Sequence, residues 1–137
     1  MALTAADGNA ILKANFAPWV QDLGLVVEEV GHSYAKLRLP WSDRLAREGG
    51  ALSGQALMAA ADTCTVVAIS SARDGYGPMT TVQQSISFQR PVVGADVLVT
   101  ATVTKLGRSL AFAEVSLAID GATTPAAHAT TVYAILG

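Results

Sequence analysis

The chain has one cysteine, Cys64, and two histidines, His32 and His128. A lone thiol excludes an internal disulfide framework and any multi-cysteine zinc site. The histidines fall in a predicted turn and a predicted strand and form no pair at metal-ligand spacing, so neither metal nor cofactor is expected. Charge is scarce too: charged residues make up 15%, the net charge is −2, and no basic cluster exists, which argues against nucleic acid as a partner. The longest apolar stretch, Ala56 to Ile69, is interrupted by Asp62 and is shorter than the ~20 residues a bilayer crossing needs. Met1 to Ala10 carries Asp7 and no basic stretch, so it does not read as a signal peptide. A soluble protein without a membrane partner is expected, and a cytoplasmic setting is the default.

What the chain has in excess is apolar residues, at 51% of 137. The length predicts one domain, and such a composition predicts that some apolar surface is buried between subunits. Ala5 to Leu23 reads as helical, with Ile11, Leu12 and Phe16 at helix spacing and Pro18 starting a second short turn. Leu25 to Val30 and Tyr34 to Leu39 read as two strands around a turn at Gly31, His32 and Ser33. A loop follows from Trp41 to Gly50. The alanine-rich segment Ser53 to Ser71 then reads as a long helix, N-capped by Ser53 and apolar nearly all round, which marks a helix buried on most sides.

After Gly77 four strands are predicted: Thr81 to Arg90, Val97 to Thr104, Ser109 to Ile119 and Ala127 to Leu136. In the first, Thr81, Gln83, Ser85 and Ser87 share one face, opposite Val82, Ile86 and Phe88. Short connections predict an antiparallel meander wrapped around the one buried helix, an α+β architecture with the element pattern of the hotdog fold.

Asp62 is the anomaly of that helix, because a carboxylate is costly to bury without partners. It lies on an exposed stripe, or is hydrogen-bonded to Thr65 or a neighbouring strand, or acts in a dry cleft as general base or nucleophile. At the helix start, Leu52 to Gln55 presents free N–H groups and a partial positive charge, and Gly54 lets a substrate carbonyl approach its amide. That is a candidate oxyanion hole, and equally the pattern of an ordinary serine N-cap. Cys64 has no positioned histidine and reads as a small core residue. Arg90, Lys105 and Arg108 are candidates for gripping phosphates, or ordinary strand-end and turn charges.

Ser53-Gly54-Gln55 followed by Asp62, then Thr81-Val82, Ser87 to Pro91 and Lys105 to Phe112, resembles the PaaI-like (phenylacetate-pathway) branch of the hotdog acyl-CoA thioesterases. The resemblance spans about Arg47 to Leu136. It implies a hotdog fold, an acyl-CoA substrate, and self-association as a dimer or a dimer of dimers. It further implies that Asp62 is nucleophile or general base, that the Gly54 amide polarises the thioester carbonyl, and that Thr81 helps hold the attacking water. Ser53, Gln55, Arg47, Arg90, Lys105 and Arg108 become candidate substrate-binding residues. The chain departs from the family in three places. Ser53 stands where His is usual, Gln55 replaces a glycine, and Arg47 takes the place of an Asn or Gln. A non-catalytic acyl-CoA binding protein on the same fold is the alternative. A hotdog dehydratase ranks last, since the predicted central helix lacks the proton-moving His that chemistry needs.

Overall fold

The computed structural model describes residues 2–137. In chain order it contains α1 (Ala5–Asn15), α2 (Pro18–Gln21), β1 (Val26–Gly31), β2 (Tyr34–Leu39), a 3-10 turn at Asp43–Leu45 and α3 (Gly54–Ala72). Then come β3 (Met79–Phe88), β4 (Val97–Leu106), β5 (Leu110–Ile119) and β6 (Ala127–Ile135). The strands form one antiparallel sheet in the order β1-β2-β4-β5-β6-β3, curled around α3. This is the hotdog fold.

The helices begin where side chains can take unpaired amides. Thr4 and Asp7 form a reciprocal capping box on α1, and the Ser53 hydroxyl accepts from the Ala56 N–H at 3.2 Å. Pro18 opens α2 at the first helical position, where its missing N–H costs nothing. α3 is long and apolar enough to pass for a membrane span, yet most of it is buried inside the sheet. Ala60, Ala61, Cys64, Val67 and Ala68 of α3 meet Leu37, Val99, Val115 and Ala129 of the sheet, all fully excluded from water. Each Val or Leu buried this way contributes about 1.5–3 kcal/mol. The alanines let the sheet close tightly on the helix.

The predicted four-strand meander is only partly formed. β4, β5 and β6 meander, but β3 crosses to the far edge and pairs with β6. The residue types fit that division. Val97, Val99 and Ala101 in β4, and Val115 and Leu117 in β5, are buried at the centre, whereas β3 is mostly Thr, Gln and Ser and mostly exposed.

A second correction concerns the faces of β3. Thr81 pairs with Tyr133 and Gln83 with Val132, so Val82 is an extra residue in a β-bulge. The inserted residue reverses the alternation. Thr81 therefore shares the helix-facing side with Gln84, Ile86 and Phe88, while Gln83, Ser85 and Ser87 face outward.

Candidate functional site

The bulge at Val82 aims Thr81 at the middle of α3. There its hydroxyl donates to Asp62 Oδ1 at 2.9 Å. From β6, the Tyr133 hydroxyl reaches the same oxygen and also lies 3.0 Å from the Asp62 carbonyl. Asp62 is half-buried, and Oδ2 neither accepts a hydrogen bond among the described residues nor ranks among their buried unpaired atoms. One carboxylate oxygen is thus anchored by two hydroxyls while the other stays free. Thr65, the other neighbour considered for Asp62, instead donates to the Ala61 carbonyl and meets the Thr131 hydroxyl.

Tyr133 is buried, and nothing in its local sequence marks it for a role beyond packing. The available signal was its place on the inner face of β6, after Ala127, Ala129 and Thr131, where a buried phenol needs a partner. Burial first, and then the charge of Asp62, hold its hydroxyl well above the usual tyrosine range. It therefore stays protonated and donates.

A second group forms at the N-terminus of α3. Arg47, Gly54, Leu57, Phe88, Arg90 and Val92 line a cleft of about 460 Å3. Gly49 and Gly50, at φ +92° and +88°, allow the tight turn that displays Arg47. Ser53 takes the Ala56 and Leu57 amides, and no hydrogen bond among the described residues takes the Gly54 or Gln55 amide. A Cβ on Gly54 would stand 3.1 Å from the Phe88 ring, so glycine lets that ring lie close against the first turn of α3.

The remaining candidates lie elsewhere. Ser53 and Gln55 line a separate cleft of about 260 Å3 with Trp19 and Arg44. Lys105 pairs with Phe112, on the sheet face turned away from α3, and Arg108 is exposed in the adjoining hairpin turn. They sit at the opposite end of the sheet from Arg90. Cys64 is enclosed, with Sγ 3.4 Å from the Ala35 and Val99 carbonyls, and burial pushes its thiol up to about 12. It carries no thiolate at neutral pH. Among the described residues no three His, Cys, Asp or Glu side chains cluster as a metal site would require.

The Thioesterase superfamily model matches residues 49–126, more than half of the chain. The chain belongs to the thioesterase superfamily. Membership supports thioester hydrolysis as its chemistry in general terms. The matched span includes Gly54, Asp62 and Thr81 but neither Arg47 nor Tyr133. No curated protein matches the chain. Solved structures do. Thioesterase superfamily member 2 of zebra fish is 23% identical, with 98% of this chain and 100% of that one covered and a TM-score of 0.84. The E. coli PaaI protein from the phenylacetic acid degradation operon is 17% identical over 98% and 97%, at a TM-score of 0.83. A variant of phenylacetic acid degradation protein PaaI from Thermus thermophilus is 25% identical over 88% and 100%, at 0.78. The first two likenesses speak to the fold alone.

Proposed function

We propose that this thioesterase-superfamily protein is an acyl-CoA thioesterase working as a two-fold dimer, with each site made from Gly54 of one subunit and Asp62 of the other. The geometry of β3 carries this reading. Gly54 and Asp62 are eight residues apart on α3, roughly 12 Å along its axis at 1.5 Å per residue. A carbonyl held on the Gly54 amide needs its attacking group within about 3–3.5 Å, so one subunit cannot supply both. β3 has ten residues, no charge and no proline, and its outer edge is unpaired among the described residues. Such an edge is a template for pairing with a second copy. The opposite edge, β1, differs in carrying Glu28 and Glu29 and a register break between Val27 and Glu29.

Within one subunit Phe88 lies over Gly54, and Thr81 binds Asp62. Two copies of β3 paired antiparallel about an axis at Ser85 keep helix-facing residues opposite helix-facing ones and set Phe88 of one against the Thr81–Val82 bulge of the other. Gly54 then faces Asp62 across the axis, twice per dimer. Exposed Met58, Val82 and Phe88 would be covered in such a pairing.

In this site the free Oδ2 of Asp62 takes a proton from water, or attacks the thioester carbon itself to give a mixed anhydride that water then hydrolyses. Thr81, its proton committed to Oδ1, accepts a hydrogen bond from that water. The Gly54 N–H and the α3 dipole stabilise the oxyanion, which collapses to expel the coenzyme A thiolate. The test is release of free coenzyme A from a panel of acyl-CoA esters. Saturable turnover is expected, and tight binding without release would select the non-catalytic alternative.

Two further results are expected. Sedimentation should give a mass twice or four times that of the chain, and a monomer at working concentration would refute the shared site. Arg90 lines the Gly54 cleft, so Arg90→Ala should raise KM and leave kcat nearly unchanged, as expected for lost uniform binding. The same outcome is expected for Lys105→Ala and Arg108→Ala if the coenzyme crosses the hairpin. Unchanged KM in all three leaves them as surface charges.

A further inference from the structure

We infer that Tyr133 is a positioning residue for the Asp62 carboxylate, its hydroxyl fixing Oδ1 so that Oδ2 alone is presented to the reacting groups. The inference rests on the reading of Asp62 given above and deepens it. Tyr133 is 3% exposed, so it touches neither substrate nor attacking water and acts only through Asp62. Its ring is locked among Ile11, Val66, Ile69 and Ala111, which leaves its hydroxyl little freedom. Thr81, by contrast, comes from the edge strand and also accepts a hydrogen bond from the attacking water in the proposed site. A packing role would be served equally well by phenylalanine. The hydroxyl instead ends on a carboxylate oxygen, with the Asp62 carbonyl 3.0 Å away as a second acceptor. When Asp62 takes up a proton, the phenol therefore has an alternative acceptor and is not left unsatisfied in the core.

Among the described residues no other charge supplies this function. The salt bridges among the described residues involve Arg38 and His128, none of them at Asp62. On α1, Asp7 is held by Thr4, and Lys13 lines a cleft of about 140 Å3 beside Thr63. β3 presents Thr81 and Gln84 on its helix-facing side, and β5 presents alanines at this level. Among the described residues Tyr133 is the one ionisable side chain hydrogen-bonded to Asp62, and its elevated pKa keeps it a donor.

The test is Tyr133→Phe assayed beside wild type and Asp62→Asn, with melting temperatures recorded. Loss of one charge-assisted hydrogen bond should lower kcat about tenfold with little change in KM. A merely structural tyrosine would change the melting temperature and leave kcat at the wild-type value. Tyr133→Phe added to Asp62→Asn should have no further effect on residual turnover, because no carboxylate remains to be positioned. If Asp62→Asn is inactive while Tyr133→Phe keeps the wild-type kcat, the positioning role is wrong and the Asp62 reading stands. An Asp62→Asn enzyme with normal turnover removes both.

Discussion

Asp62→Asn should lose at least about 100-fold in thioester hydrolysis, the scale expected when a general base is removed. The substitution preserves shape and leaves an amide oxygen able to accept from Thr81 and Tyr133, the two hydroxyls that hold the native carboxylate. What it removes is the second oxygen, the one without a partner. Asp62 makes no ion pair among the described residues, so the fold should survive with a similar melting temperature. In the wild type, kcat should fall on the acid side as the carboxylate takes up a proton, and that limb should be absent from the residual activity of the variant. Near-wild-type turnover, or an unchanged acid limb in the variant, would take Asp62 out of the mechanism.

The second large effect is expected at Gly54. Leucine there should cost about 100- to 1,000-fold in kcat, comparable to deleting an oxyanion-hole donor. A Cβ at this position already stands 3.1 Å from the Phe88 ring, so a longer side chain fills the approach to the amide. Phe88 is half-exposed and can swing aside, and leucine favours the helix more than glycine does. The loss should therefore be catalytic rather than structural. Equal melting temperatures with lost turnover are the expected pair of measurements. Retained kcat would free the Gly54 amide from any role.

The parts of this account legible in the sequence are those set by local pattern. The alanine run after Ser53 specifies α3 and its cap, and the alternation from Tyr34 to Leu39 marks β2 with its observed bounds. Asp62 stands out because it is the only charge in that run. What stayed hidden depends on partners distant in sequence. The meander reading failed at β3, whose place beside β6 is set by long-range pairing. Strict alternation put Thr81 and Gln83 on one face, and only the pairing across to Tyr133 and Val132 reveals the bulge that separates them. Tyr133 lies 71 residues from Asp62, and no spacing rule joins the two. The grouping of Ser53 and Gln55 with Gly54 also dissolves in three dimensions, since successive helical residues point in different directions and line different clefts.

The shared site is the central claim, and subunit mixing tests it most directly. Asp62→Asn and Gly54→Leu, each nearly inactive alone, are combined in equal amounts under conditions that allow exchange. Half of the dimers formed at random are mixed, and each mixed dimer regains one of its two sites, so about a quarter of wild-type activity should return. No recovery despite demonstrated exchange, or full activity from an isolated monomer, would contradict a site built from two subunits.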